Sequence, residues 1–380
     1  MSCKIYMDHA ATTEMLPQVR AAMEPYMKEE FGNASTGYDM GAESRKAIEE
    51  ARAEIAKIIE ASPEEIYFTS GGSESDNWAI KNIAGARKHK GRHIITSKIE
   101  HHAVLRSCQY LEQLGYAVTY LDVDDFGLVS PEALKESIRE DTTLITIMAG
   151  NNEIGTLEPI GEIGALARKH GIVFHTDAVQ VVGQIPLSTE RLPVDLLSAS
   201  GHKFHGPKGV GFLYVKGDQD LPSFIHGGSQ ERGKRAGTEN VAGIVGMAEA
   251  LKIAASEMRF TRARLIRLRN YFCERVLHEI SGVRLNGHPH RRLPGNVNFS
   301  IEGVDATSLL VLLEEHGICA SAGSACNTGE TRVSHVIEAI RVPENFAAGS
   351  VRFTMGRDTT RDEVNAVVHA LKKSVALLRG

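Results

Sequence analysis

The chain has 380 residues, 42% of them hydrophobic, and a formal charge of −5 without a basic stripe or an acidic tail. That is enough chain for two domains and a sizeable core, and the dispersed charge gives no reason to expect nucleic acid or a membrane surface as a partner. Met1 to Thr13 lacks the apolar stretch of a signal peptide and no later run is long enough to span a bilayer, so a cytoplasmic protein acting on small molecules is expected.

Between residues 65 and 215, short β-branched runs alternate with helical patterns: Ile66 to Thr69, His93 to Ser97, Val118 to Leu121, Leu144 to Met148, Ile172 to His175 and Val194 to Leu197. This rhythm predicts an α/β fold with a mostly parallel sheet, whose ligands lie beyond the carboxyl ends of the strands. Polar or glycine-rich loops follow most of those ends: Gly71-Gly72-Ser73, Glu100-His101-His102, Asn151-Asn152-Glu153, Asp177 to Gln180, and Ser200-Gly201-His202-Lys203. A long Arg-rich helix from about Ala254 to Ile280 then leads into strands at Asn296 to Ile301 and Val351 to Met355, with helices near 305–316 and 361–378. This second part reads as a smaller α+β domain, and the arginines as a solvated helix face.

Gly72 and Ser73 stand where a strand ends and a helix begins, so backbone N–H groups and the helix dipole would suit a phosphate; an ordinary helix cap explains the same residues equally well. Asp177 at a strand end needs a cationic or hydrogen-bonding partner if it is buried, and a pyridinium nitrogen is one such partner; capping the next helix is the plainer reading. Lys203 lies between an apolar strand and a glycine-rich turn, which directs its amine to the crevice, where partial desolvation would make it nucleophilic; the alternative is a surface lysine. No Gly-Lys-Ser/Thr and no GxGxxG follows a strand, so nucleotide binding is disfavoured. Adjacent His101 and His102 do not make a metal site, because neighbouring side chains rarely converge on one ion, and no metal is expected. Arg352 reads either as a ligand-binding group or as half of a structural ion pair.

The five cysteines, Cys3, Cys108, Cys273, Cys319 and Cys326, include no CxxC pair, so reduced thiols are expected. Cys326 stands apart in Ser321-Ala-Gly-Ser-Ala-Cys326-Asn-Thr-Gly-Glu330, a loop without large apolar anchors, whereas Cys108 and Cys273 lie on helical patterns and Cys319 in an apolar run. A thiol that accepts sulfur and passes it on must visit two places, which such a loop allows.

As a set, these segments resemble the NifS/IscS-type cysteine desulfurases of the class V aminotransferase family. The resemblance is carried by Tyr6-Met-Asp-His-Ala-Ala-Thr-Thr13, Gly32-Asn-Ala-Ser-Thr36, Thr69-Ser-Gly-Gly-Ser-Glu-Ser-Asp-Asn77, Glu100-His-His-Ala103, Asn151-Asn-Glu-Ile-Gly155, His175-Thr-Asp-Ala-Val-Gln180, Ser200-Gly-His-Lys203, Arg235-Ala-Gly-Thr-Glu-Asn240, Ser321 to Cys326 and Val351-Arg-Phe353. It implies fold type I of the pyridoxal 5′-phosphate (PLP)-dependent transferases. A large domain (16–255) would hold a seven-stranded, mostly parallel sheet, and 1–15 with 256–380 would form a small domain carrying the cysteine loop.

It further implies that Lys203 carries PLP as a Schiff base and moves the Cα proton, with His101 stacked on the ring. Asp177 would pair with the ring nitrogen and Gln180 with the phenolic oxygen. Gly72, Ser73, Ser200 and His202 would bind the phosphate, with Thr238 reaching over from the second subunit of a homodimer. Arg352 would grip the carboxylate of L-cysteine near Asn152, with Asn33 a further substrate contact, and Cys326 would take the sulfur as a persulfide for an iron–sulfur scaffold or another acceptor protein. Neighbouring readings are a selenocysteine lyase or other class V lyase or aminotransferase, and a non-catalytic scaffold. The chain departs from the family at Ala34, usually proline, and after Cys326, where the usual Leu-Glu-Pro is missing; 341–346 is also unusual.

Overall fold

A computed structural model describes residues 5–217, 219–322 and 333–380. Strand β1 (Ile5–Tyr6) is followed by seven strands that form one sheet: β2 (Ile66–Thr69), β3 (His93–Ser97), β4 (Ala117–Leu121), β5 (Thr142–Thr146), β6 (Val173–Asp177), β7 (Leu196–Ser200) and β8 (Gly211–Val215). Their order is β2-β8-β7-β6-β5-β3-β4. Only β8 runs against its neighbours. The glycine-rich stretch before it disguised this strand in the sequence. At Gly211 a Cβ would lie 2.5 Å from the Ala199 carbonyl oxygen and 2.7 Å from the Cα of Gly71, so two backbones touch where only glycine fits.

The sheet is covered on both sides, and the strands show why. Ile94, Leu144, Val173, Leu196 and Leu213 enter one apolar core with Trp78, Ile80 and Ile83 of the helix Gly72–Arg87. Their neighbours Ile95, Ile145, Phe174, Leu197 and Phe212 enter the other, against the helices Asp39–Ile59 and Ile160–Lys169. Successive side chains point to opposite faces, so continuous apolar runs are what a doubly covered sheet requires.

The remaining strands are β9 (Val283–Leu285), β10 (Asn296–Ile301), β11 (Ile318–Cys319) and β12 (Ser350–Thr354). β12-β10-β9 form an antiparallel sheet, and β11 pairs in parallel with β1. A separate core unites Phe299 and Phe353 with the helices Ala306–Glu315 and Arg361–Arg379 and with Met7 from the N-terminal segment. The long helix Val241–Glu279 starts well before the expected Ala254, because its first half is small and apolar on the side facing the large sheet. Ile244, Met247 and Leu251 pack into the first core, and Leu265, Phe272 and Val276 into the second, so one helix joins both. Among the described residues no helix is long and apolar enough to cross a membrane.

Arg52 and Glu231 tie the segment leading to Thr238 onto the sheet. Their side chains are each 4% exposed and meet at 2.8 Å. Arg52 also donates to the Ile66 carbonyl and Glu231 accepts from the Phe68 N–H, so both charges are paired and hydrogen-bonded. Arg52→Met leaves the Glu231 carboxylate buried without its cation and should cost about 3–5 kcal/mol in denaturant unfolding, whereas Arg52→Met with Glu231→Leu should recover most of that loss. A cost below about 1 kcal/mol for the single variant would show that the pair does not hold this segment.

Candidate active site

The carboxyl ends of β2, β3, β5, β6 and β7 open on a cavity of about 270 Å³, lined from all five of the polar loops by Gly72, Ser73, His101, Asn152, Asp177, Gln180, Ser200, His202 and Lys203. Arg352 of β12 and the segment at Ala10 and Ala11 complete the wall.

The helix Gly72–Arg87 aims its N-terminus at this space. Gly71 has φ +148°, and a Cβ on Gly72 would lie 2.5 Å from Val179 Cγ2, so the backbone approaches the β6 loop more closely than any side chain permits. The first-turn N–H groups of a helix have no intrahelical acceptor and favour an anion. Beside them Glu74 is taken up by Arg235, at 2.7 and 3.0 Å.

Asp177 ends β6, 6% exposed, with Oδ1 accepting from the Val179 N–H at 2.9 Å. Burial raises its carboxyl above the usual range, opposed by His101, by that N–H bond and by Lys203. Lys203, in the turn Gly201–Lys203 after β7, donates to the carbonyls of Ala10 and Ala11 at 2.5 and 2.8 Å. Gln180 donates to the same Ala10 carbonyl at 3.0 Å. Burial, and then Lys203, push the His202 imidazole down to about 4.

His101 caps the helix His102–Gln113: its Nδ1 accepts from the Ala103 N–H at 3.1 Å. Burial lowers its pKa against the pull of Asp177, so at neutral pH the ring is uncharged, with its proton on Nε2. Arg352, 1% exposed, donates to Asp8 Oδ1 at 2.7 Å and to the Asn152 carbonyl at 3.0 Å, while its Nε has no partner. The guanidinium is thus an ion-pair member with a donor left over.

Thr238 and Asn33 do not line the cavity. Thr238 is exposed, just after Arg235. Asn33 is used locally: its Oδ1 accepts from the Ser35 N–H at 2.9 Å, and its carbonyl accepts from Thr36, an exposed turn of its own. Cys326 lies outside the described residues, but the chain on either side of it is anchored at the cavity. The Arg352 N–H donates to the Ser321 carbonyl at 2.6 Å, Ser334 donates to Glu153, and His335 bonds to the Glu100 carbonyl at 3.0 Å.

Three acidic side chains had been given no role. Asp76, one helical turn after Ser73, reaches the cavity; the i, i+3 spacing was there to read but is common on any helix. Glu100 accepts from Ser97 Oγ and the Met148 N–H, and burial pushes it up to about 8, so it keeps its proton at neutral pH. Glu153, buried beside Ser334, is also raised by burial. A carboxylate oxygen each of Asp76 and Asp177 and a ring nitrogen of His101 all lie within 4.8 Å of one another, whereas the acidic neighbour of His102 is Glu153.

A seven-stranded sheet with one reversed strand, a helix N-terminus, a buried carboxylate and a lysine at one crevice define the fold type I class of PLP-dependent transferases. The aminotransferase class-V model matches residues 5–367, and the chain belongs to that family. It is 52% identical over 379 residues to the cysteine desulfurase IscS of Dictyoglomus turgidum, covering 100% of this chain and 96% of that one. Among solved structures it is similar to a NifS-like protein, with a TM-score of 0.93 at 36% identity over 99% of this chain and 100% of that one. SspA, solved in complex with cysteine, aligns with a TM-score of 0.83 at 36% identity over 94% of this chain and 100% of that one.

The cofactor is PLP, and the residues present fit it. A buried carboxylate suits a protonated ring nitrogen, a helix N-terminus suits a phosphate, and the unpartnered buried Asp76 Oδ1 and Arg352 Nε mark a wall built for further polar contact. Gly72→Ala should force Val179 and the helix N-terminus apart, lowering stability by about 1–3 kcal/mol and weakening PLP binding. Equilibrium dialysis with unchanged PLP affinity would show that this close approach does not shape the phosphate end.

Proposed function

We propose that the chain is a cysteine desulfurase converting L-cysteine to L-alanine and holding the released sulfur as a persulfide on Cys326. The observation that carries this reading is the joining of Lys203, the buried Asp177 and the buried Arg352 around a single cavity, with the Cys326 stretch anchored at both ends beside it.

When bound, PLP supplies a conjugated ring that stabilises a carbanion at the substrate Cα. Lys203 would be the group for covalent attachment and for moving the Cα proton, and neutral His101 would lie against the ring. Asp177 would pair with the ring nitrogen and Gln180 with the phenolic oxygen. Ser73, Ser200 and His202 would hold the phosphate beside Gly72. Arg352 takes the substrate carboxylate, with Asn152 adjacent, and the bond to Asp8 fixes its plane.

The Cys326 thiolate then attacks the substrate sulfur. A sulfur–sulfur bond forms, the carbon–sulfur bond breaks, and its electron pair remains with the carbon fragment that is protonated to alanine. The balance is L-cysteine plus enzyme thiol giving L-alanine plus enzyme persulfide, with no external oxidant. A thiol-bearing acceptor, such as an iron–sulfur scaffold, takes the sulfur on. Thr238, exposed beyond Arg235, completes the phosphate site of a second subunit in a homodimer, and the protein works in the cytoplasm.

Borohydride reduction of the PLP-loaded protein followed by peptide mapping should place the pyridoxyl label on Lys203; label elsewhere would overturn the assignment. Cys326→Ala should keep the bound PLP absorbance and lower alanine and sulfide production by more than about 100-fold, while unimpaired turnover would exclude the persulfide route and favour a selenocysteine lyase or other lyase.

A further inference from the structure

We propose that Asp76 and Asp177 act as a proton-sharing carboxyl pair, in which Asp76 carries the proton and Asp177 the charge. Asp76 is then a positioning residue that acts through Asp177. What the charge on Asp177 is used for rests on the function proposed above; the pairing itself rests on geometry.

Both carboxyls are buried in one cavity wall, with an oxygen of each within 4.8 Å of the other and of a His101 ring nitrogen. Two carboxylates this close and this dry do not both ionise, and the difference in their surroundings decides which keeps the proton. Asp177 has the Val179 N–H and faces His101 and Lys203, so its charge is stabilised. Asp76 has less support: its Oδ1 has no hydrogen-bond partner and lies 3.6 Å from His175 Nε2, and of its neighbours the Ser198 hydroxyl favours its charge while Asp177 and Glu100 oppose it.

The groups packed against Asp76 keep its surroundings neutral. From β6 comes His175, whose Nδ1 bonds to Thr146 Oγ1 at 2.8 Å and whose Nε2 bonds to Ser198 Oγ at 3.0 Å; burial lowers this imidazole to about 3. From β7 comes Ser198, which also bonds to Asp76. From the β3 loop comes Glu100, itself protonated at neutral pH, and Asp177 is the nearest charge. Burial raises the Asp76 carboxyl well above its usual range, with Asp177 next as a cause.

The pair makes a prediction for the full chain freed of PLP, where no reaction is involved. A carboxyl that holds its proton more tightly folded than unfolded gives stability that is complete at low pH and lost as pH rises above about 3.8 toward the raised value. Thermal midpoints of the PLP-free protein should therefore fall relative to those of Asp76→Asn as pH rises above about 3.8, with a slope set by the uptake of about one proton. Glu100 and the buried histidines contribute their own pH dependence to both proteins, so the difference between variants is the readout.

Asp177→Asn should shift the Asp76 contribution to lower pH, because the like charge is gone. Should Asp76→Asn keep the full wild-type pH dependence, or Asp177→Asn leave the pH range of the Asp76 contribution in place, the pair does not share a proton and the proposal fails. If Asp76→Asn does not fold, the Asp177→Asn shift alone decides. Neither outcome touches the borohydride label on Lys203, so failure here and failure of the desulfurase reading are separable.

Discussion

The architecture depends on one electrostatic constraint: parallel strands deliver Asp177 to a place that excludes water, with Asp76 and Glu100 packed behind it. A buried carboxylate needs a cation or must take a proton. Glu100 takes the proton, Asp177 keeps the neighbourhood of Lys203 and His101, and the cavity in front is left with a demand for positive charge. A protonated ring nitrogen, as in the proposed function, would meet that demand. The same neighbourhood keeps His101 uncharged, since burial outweighs the attraction of Asp177. An uncharged imidazole can lie against an electron-poor ring without adding repulsion.

Holding such a group of charges in fixed positions requires a frame that does not relax. The sheet supplies it by burying both faces, and the glycine contacts pin the loops above it. Gly71 touches Gly211 across two strands, and the Gly72 backbone lies against the Val179 side chain on a third loop, so the helix N-terminus and the Asp177 loop are set relative to each other by close contact at two glycines. The N-terminal segment closes the frame from the other side. The Ala10 N–H donates to the Thr354 hydroxyl oxygen at 2.8 Å and its carbonyl accepts from Lys203 and Gln180, so the antiparallel sheet β12-β10-β9 and the lysine share one stretch of backbone.

Much of this was legible because period and punctuation are local signals. β2, β3 and β10 begin and end where the β-branched runs do, and the polar residues that follow the parallel strands supply the cavity. What the sequence concealed depends on distant contact. β8 looks like the tail of a glycine-rich turn until Gly71 is seen against it. Asp76 looks like any polar helix residue until Asp177 arrives from the far end of the sheet, and the carbonyls of Ala10 and Ala11 carry no side-chain signature at all. Asn33 sat in a matching motif, yet its amide is occupied by its own turn within this chain. Arg352 reads in the sequence as ligand group or ion pair; the structure shows the ion pair with Asp8 and leaves Nε without a partner.

The division of labour in the proposed chemistry follows from where Arg352 stands in the backbone. Its side chain forms one wall of the cavity while its N–H bonds to the Ser321 carbonyl, five residues before Cys326. On the other side of the stretch, His335 bonds to the Glu100 carbonyl, next to His101. The described residues on either side of Cys326 are therefore attached to Arg352 and to Glu100, the neighbour of His101. In the proposed chemistry, attachment at both ends would shorten the thiol's search and raise its effective concentration at the substrate sulfur, while Arg352, His101 and Lys203 stand in the cavity wall.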